Sequence, residues 1–313
     1  MIDAVPELPD LTVYIDAMRE HMVGRVLAEL KLYSVFVLRS VDPPADAMRG
    51  RTVVGVERLG KRLVIEVEGD AFLVIHLMVA GRLHWSDAGA TKPPRQRLAT
   101  FVFVDADGSA HGSMHLDEAG KKKRASIHLV AGRAALAPHD RSGLEVEHAR
   151  LEDFVARMRE ERHTLKRALT DPSILSGIGN AYSDEILWAS RLSPFRRTDQ
   201  LSDEEWQRLH GACREVLENW TQRLRDKAAG SWPRKVTAFH REMAVHGKYR
   251  EPCPRCASEV QRIVYAENEA NYCATCQTDG KLLADRALST LLRGDWPRSL
   301  EELEAMRERH RPS

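Results

Sequence analysis

The stretch "LKRALTDPSILSGIGNAYSDEILWASRLSP", residues 165–194, decides the reading of this 313-residue chain. A helical segment runs up to Asp171-Pro172, where a proline cannot continue the hydrogen-bond ladder. A glycine-rich turn, Gly177-Ile178-Gly179-Asn180, then opens a second helix. Glycines permit close backbone approach, and a helix N-terminus presents unpaired N–H groups at the positive end of the dipole. That combination suits a phosphate. Lys166, one turn before the break, would add a charge, and Asn180 a side-chain donor. Taken alone, a Gly-x-Gly turn also reads as an ordinary helix corner, so the decision rests on what surrounds it.

On either side the pattern stays helical. "EDFVARMRE" (152–160), "HTLKRALTD" (163–171) and "SDEEWQRLHGACREVLENW" (202–220) carry apolar residues at helical spacing. In the last of these, Ser202 and Glu205 fit a capping box. Its stripe of Trp206, Leu209, Cys213, Val216, Leu217 and Trp220 reads as core, Cys213 included. Beyond it, Cys253, Cys256, Cys273 and Cys276 form C-x2-C, sixteen residues, then C-x2-C, with "QRIVYAENEANY" between the pairs reading as a β-hairpin. Two such knuckles close a sulfur tetrahedron around one Zn2+. Four protein ligands leave no open position, so the zinc is structural. Redox use of one C-x-x-C pair is the alternative, and it leaves the second pair unexplained. Ser299 and Glu302 cap a final helix.

Toward the N-terminus the period changes. "TVVGVERL", "RLVIEVE", "AFLVIHL" and "ATFVFVD" are short Val/Ile/Phe-rich runs, punctuated at Glu68-Gly69-Asp70 and at Asp105-Ala106-Asp107-Gly108. Before them, Leu11, Tyr14, Ile15, Met18 and Met22 recur at helical spacing after Asp10, a candidate N-cap. The fold class is therefore α+β. A β-sandwich domain with a leading helix spans 1–135, and a helical domain with a helix–two-turn–helix spans 136–250. The zinc finger occupies 251–282 and a helical tail 283–313.

Composition narrows the classes. With 47 basic and 46 acidic residues, bulk charge names no partner, and 43% hydrophobic residues suit a globular protein. No apolar run reaches the roughly 18 residues of a membrane span, and no secretory signal opens the chain. A soluble, cytoplasmic monomer is the expectation.

Four quoted motifs occur in a telling order: "PELP" (6–9), the Gly-Ile-Gly-Asn turn, "AFHREMAVHGKYREPCPRC" (238–256) and the zinc hairpin. Together they resemble the formamidopyrimidine-DNA glycosylase/endonuclease VIII family along the whole chain. The resemblance implies a bifunctional enzyme that binds double-stranded DNA with a damaged or abasic nucleotide, extrudes the base and cuts the glycosidic bond. It would then cleave the backbone as an AP lyase, within base excision repair. In that family an N-terminal proline amine attacks the sugar C1′ and forms a Schiff base. Mapped by motif, the nucleophile is Pro6, the proton-handling carboxylate Glu7, and the assisting hairpin lysine Lys61 in "LGKRLVIEV". DNA contacts fall on Lys166, Gly179, Asn180 and Asn268, and on the basic run Lys121–Arg124.

Four departures accompany the resemblance. Pro6 is preceded by Met1–Val5, and its nitrogen is an amide while they are attached. Methionine removal is disfavoured before the bulky Ile2, whereas a GTG start at Val5 would yield Met-Pro-Glu-Leu-Pro and expose Pro6. Asn268 stands where the family usually carries a phosphate-gripping arginine, a bidentate group an amide does not replace; Arg262 and Arg286 are the candidates to compensate. Asp10 replaces a usual glutamate. Among the wedges that fill the emptied stack, "IHLMVAGRL" offers Met78 or Val79, while "DEAGKKKRAS" has no aromatic. The alternative to the enzyme is thus a catalytically impaired homologue that recognises abasic, nicked or distorted DNA. A zinc-ribbon interaction protein is a remoter reading and leaves "PELP" idle.

Overall fold

The computed structural model describes residues 5–90, 97–119, 123–234, 236–265, 268–284 and 297–309. The chain forms two compact units, Met1–Gly143 with Glu218–Ala238, and Leu144–Leu217 with Phe239–Ser313.

The first unit is built on eight antiparallel strands: β1 Val26–Leu32, β2 Arg51–Leu59, β3 Arg62–Val67, β4 Ala71–His76, β5 Gly81–Asp87, β6 Arg97–Val104, β7 Ala110–Glu118 and β8 Ser126–Ala131. Their order is β5-β7-β6-β1-β2-β3-β4-β8. β1 and β2 share only the pairs Val26↔Thr52 and Leu27↔Arg51, so two four-stranded halves meet at a narrow joint. Both halves feed one core: Leu63, Ile65, Leu73, Ile75, Ile127 and Leu129 from one, Phe101, Phe103, Met114 and Leu116 from the other. This is the sandwich expected from the sequence. The β2-β3-β4-β8 half is covered on its other face too, where Val64, Phe72, Val74, Val130 and Leu136 cluster. Two covered faces explain why β3 and β4 read as apolar runs and not as strict alternation.

The leading helix α1, Leu8–Met22, packs on β2 and β3. Leu11, Tyr14, Ile15, Met18 and Met22 enter the core, each stabilising the fold by about 1.5–3 kcal/mol. Arg19 Nε donates to the Val56 carbonyl at 2.9 Å, and the Tyr14 hydroxyl accepts the Leu83 N–H at 3.2 Å. The N-cap is Glu7, one turn earlier than the sequence suggested. Pro9 sits in the first turn, where a missing N–H costs nothing. Asp10 falls at the third helical position and accepts the Glu7 N–H at 3.0 Å. Residues 218–238, which the sequence placed in the helical domain, belong to this unit. The Trp232 indole stacks on Trp85 at 5.6 Å and donates to the Leu83 carbonyl at 2.9 Å.

On the outer face of β6 and β7, His115 is 3% exposed between Thr100 Oγ1 (2.9 Å) and Ser86 Oγ (3.2 Å). Burial first, then Arg97 and His84, push its pKa down from 6.5 to about 4. As pH falls, the unfolded imidazole takes its proton first. The stability tied to the neutral ring is therefore complete above 6.5 and declines until about 4. The thermal midpoint should fall across that window, and fall less in His115→Gln; equal falls would place the acid sensitivity on other groups.

The second unit holds α2 Leu151–Arg159, α3 Leu165–Thr170, α4 Asn180–Ala189 and the first turns of α5 Asp203–Ala228. It continues with the hairpin β9 Val260–Tyr265 and β10 Asn268–Cys273, then α6 Ala274–Thr278 and α7 Leu300–Arg309. The capping box at α5 forms: Ser202 N–H to Glu205 Oε2 at 2.9 Å, and Glu205 N–H to Ser202 Oγ at 3.3 Å. Trp206 meets Phe154 edge-on at 6.1 Å. Cys213 is fully buried, and burial alone pushes its thiol pKa up, so it is inert packing. The tail folds onto the zinc hairpin, with Leu282, Leu283 and Leu300 against Ile263, Tyr272 and Ala274. Among the described residues no helix is long and apolar enough to cross a membrane.

Candidate functional site

In the first unit the candidate chemistry gathers on α1 and on the hairpin that α1 covers. Pro6 and Glu7 are buried, Glu7 being 2% exposed. The Glu7 backbone is fixed from both sides: its N–H by Asp10, its carbonyl by the Leu11 N–H at 2.9 Å. Lys61 occupies the β2–β3 turn, half-buried, after Gly60 at φ +60°. Arg58 Nη1 donates to the Gly60 carbonyl at 2.8 Å and fastens that turn.

A residue the sequence reading passed over stands next to it. His76, at the end of β4, lies opposite Arg62 in the ladder. Burial, then Arg62, Lys61 and His128, lower its pKa to about 4, so the imidazole is neutral at neutral pH. Lys61, Arg62 and His76 lie close together at this edge, where Arg62 Nη1 donates to the His139 carbonyl at 2.9 Å. Its signal was only the His in "IHLMVAGRL", which no local pattern distinguishes from a strand residue.

The turn after His76 is strained. Met78 has φ +53°, a region that costs a non-glycine residue about 1–3 kcal/mol. Gly81 N–H bonds the Leu77 carbonyl at 2.9 Å, and a Cβ on Gly81 would come within 2.2 Å of that oxygen. Such a tight turn holds Met78 and Val79, both part-exposed, in one conformation. In the loop "DEAGKKKRAS", residues 120–122 lie outside the described residues, so Lys121 and Lys122 go unplaced. Lys123 Nζ is turned to the Glu118 carbonyl, and Glu118 Oε2 accepts the Arg124 and Ala125 N–H groups at 2.8 and 3.0 Å.

In the second unit the Gly-Ile-Gly-Asn turn has the expected form. Gly177 takes φ +78°, Gly179 is the N-cap of the ten-residue α4, and Asn180 is its first residue. The expectation for Lys166 needs correcting, because the side chain points inward. Its ammonium is 5% exposed and donates to the Asn180 carbonyl (2.6 Å), Ser183 Oγ (2.8 Å) and Asp184 Oδ1 (2.6 Å). All three N–H donors are used, which leaves none for a phosphate. Lys166→Ala should therefore strand the Asp184 carboxylate and cost about 3–5 kcal/mol of stability. The salt dependence of DNA binding should stay unchanged. A slope lowered by about one would restore Lys166 to the phosphate contacts.

The four cysteine sulfurs of the hairpin lie within 4.8 Å of one another. Sγ of Cys253 and Cys276 are 4.0 Å apart, and those of Cys256 and Cys273 3.4 Å. A tetrahedron with Zn–S bonds of about 2.3 Å has edges of about 3.8 Å. The donor set therefore fits one structural zinc. The Trp188 indole N–H of α4 points at Cys253 Sγ at 3.3 Å, and Arg255 covers the same indole at 4.1 Å. Asn268 opens β10 opposite Tyr265, next to the hairpin tip. Arg262 lies 4.5 Å over the Tyr249 ring and 3.6 Å from Glu269. Arg286 falls outside the described residues.

Three family models match in chain order. They are the formamidopyrimidine-DNA glycosylase N-terminal domain over 5–117, the formamidopyrimidine-DNA glycosylase H2TH domain over 142–226, and the zinc finger found in FPG and IleRS over 250–278. The formamidopyrimidine-DNA glycosylase of Heliobacterium modesticaldum is 31% identical over 288 residues, covering 87% of this chain and all of that protein. That of Corynebacterium jeikeium is 28% identical over 289 residues, with 87% and 100% covered. The fold is shared with Lactococcus lactis Fpg in complex with abasic-site DNA, at a TM-score of 0.74 and 24% identity over 87% of this chain and 99% of that one. The complex of that protein with FAPY-dG DNA gives 0.74 at 23%, covering 87% and 100%.

Proposed function

Since the chain belongs to the formamidopyrimidine-DNA glycosylase family, we propose that it excises oxidised or ring-opened bases from duplex DNA and then cleaves the abasic strand. Pro6 is the nucleophile. With its nitrogen free, the secondary amine attacks C1′, the C1′–N bond to the base breaks, and the base leaves with a proton. The C1′–O4′ bond then opens as O4′ takes a proton, leaving on C1′ an iminium that is an electron sink, so a proton is lost from C2′ and the 3′-phosphate departs by β-elimination. Glu7, beside the nucleophile, carries protons to and from the sugar. Lys61, Arg62 and His76 hold the phosphates that flank the extruded nucleotide, and Met78 or Val79 fills the emptied stack. Gly179 and Asn180 offer donors at the α4 N-terminus to the strand, with Asn268 on the zinc hairpin. Zinc, when bound, supplies structural cross-linking of four thiolates and no reaction step.

What carries this reading is the Pro6-Glu7 pair at the head of α1, with the Glu7 backbone locked at 3.0 Å by Asp10. The cap serves any helix; the proline set directly before a buried glutamate is what a pure binder has no use for. One observation favours the binder: with Val5 attached, Pro6 has no lone pair to offer. A duplex with a single formamidopyrimidine lesion should be nicked at the lesion, and undamaged duplex left intact. Glu7→Gln should slow base release by about a hundredfold while retaining binding. Tight binding to abasic duplex with no base release, by protein whose Pro6 amine is free, would favour the binder.

A further inference from the structure

Asp184 lies at the centre of a buried polar cluster that neither the proposed chemistry nor zinc ligation uses. Its carboxylate is fully buried. Oδ1 accepts from Lys166 Nζ at 2.6 Å; Oδ2 accepts from His246 Nδ1 at 2.8 Å and from Asn271 Nδ2 at 3.4 Å. Its neighbour Glu185, 4% exposed, accepts the backbone N–H groups of Ala244, Val245 and His246 at 2.8, 2.9 and 3.0 Å. Burial raises the Glu185 pKa and those three bonds oppose the rise.

Two consecutive carboxylates of one helical turn thus hold four elements. These are α3 through Lys166, the start of α4 through the Asn180 carbonyl on the same ammonium, the lead-in to the zinc finger at 244–246, and β10 through Asn271. The hairpin's opposite face is covered by Leu282, Leu283 and Leu300. Buried ion pairs add little net stability over well-packed apolar groups, but an arrangement that separates the partners leaves an uncompensated buried charge, which disfavours every alternative to the paired one. Such a cluster specifies geometry.

We propose that Asp184 is a positioning residue that fixes the zinc hairpin against the Gly-Ile-Gly-Asn turn, so that Asn268 and the α4 N-terminus grip the DNA backbone as one rigid surface. This rests on the DNA-binding reading above. The cysteines close the hairpin on itself; the carboxylate of Asp184 sets where its β10 strand lies relative to α4. Asn271, directly opposite Arg262 in the ladder, is the hairpin's side of the latch; its Nδ2 is shared between Asp184 at 3.4 Å and Glu269 Oε1 of the same strand at 3.0 Å.

The test uses the full zinc-loaded chain, with spin labels at the exposed Arg191 and Val264. Pulsed dipolar spectroscopy gives the distance distribution, and an abasic-analogue duplex serves as the DNA probe. Asp184→Asn should broaden the distribution and weaken duplex binding roughly tenfold, within the usual range of coupling between sites, with one zinc per chain retained. Asn271→Leu should broaden it likewise with the Lys166–Asp184 pair intact, and it decides the matter if Asp184→Asn does not fold. An unchanged narrow distribution in Asn271→Leu overturns the proposal. So does a loss of affinity that only accompanies loss of zinc, because that is collapse of the finger. If the unsubstituted chain binds no duplex, the DNA reading falls and the shared grip with it; label distances that still respond would show that the latch alone survives.

Discussion

Protein that begins at Pro6 should form a covalent adduct with abasic-site duplex under borohydride, and the chain carrying residues 1–5 should form none. The difference follows from one atom. With Val5 attached, the Pro6 nitrogen belongs to a tertiary amide and its lone pair is delocalised into the carbonyl. Freed, it is a secondary amine that can condense with the C1′ aldehyde of an abasic sugar, and borohydride reduces the iminium to a stable amine. Removing a nucleophile typically costs several orders of magnitude, so adduct yield and lesion cleavage should both differ by about a thousandfold or more. Both proteins should bind the duplex alike, because both keep Lys61, Arg62, His76, the α4 N-terminus and the zinc hairpin. Equal trapping would move the nucleophile to a lysine, with Lys61 the first to substitute. Absence of an adduct from protein starting at Pro6, with binding intact, would leave a DNA-recognising protein without this chemistry.

How much of this was legible in the sequence depended on whether the deciding interaction is local. β3, β4 and β6 announce themselves as Val/Ile/Phe runs because their faces are largely buried, and β2 reads as one although only its Val53 and Val56 are buried. β1, "VLAELKL", is written in good helix formers, and β7, "AHGSMHLDE", is largely polar; both become strands through their neighbours. The cysteine quartet could be read from spacing alone, since each knuckle is local and the tetrahedron admits few arrangements. Lys166 could not. Its ammonium is consumed by Asp184, eighteen residues on and across a helix corner, and nothing in "HTLKRALTD" reports that partner. The one-turn error at the α1 cap has the same origin in small: Asp10 does cap, but from inside the helix and toward the Glu7 N–H. Glu185 and His246 were invisible for a further reason. Buried polar residues read as solvated ones unless their partners are known, and each of these finds its partner in the other's segment, about sixty residues away.

Removing zinc should have the second-largest effect, and the packing says where it stops. Strands of six residues do not stand alone as a two-stranded hairpin. The small core at the hairpin's base is Val245, Cys253, Val260 and Cys273, so half of its buried residues are metal ligands. Zinc binding in isolated fingers contributes about 10–16 kcal/mol, far more than that core can replace. Chelation should therefore melt β9, β10 and the turn before them, and release the Trp188 indole from Cys253 Sγ. A change in tryptophan fluorescence would report that release. α5 should persist, with Trp206 against Phe154, and so should α4, which packs on α3 as well as on β10. Far-ultraviolet circular dichroism should accordingly lose little helix. Affinity for abasic duplex should fall by about a hundredfold, the equivalent of roughly 2.7 kcal/mol, since Asn268 and the Asn271 contact to Asp184 both leave with the hairpin. Metal-free protein that binds with undiminished affinity would show that the finger does not contribute to DNA binding. Loss of helix in step with zinc would show that the finger and the helical corner fold as one unit.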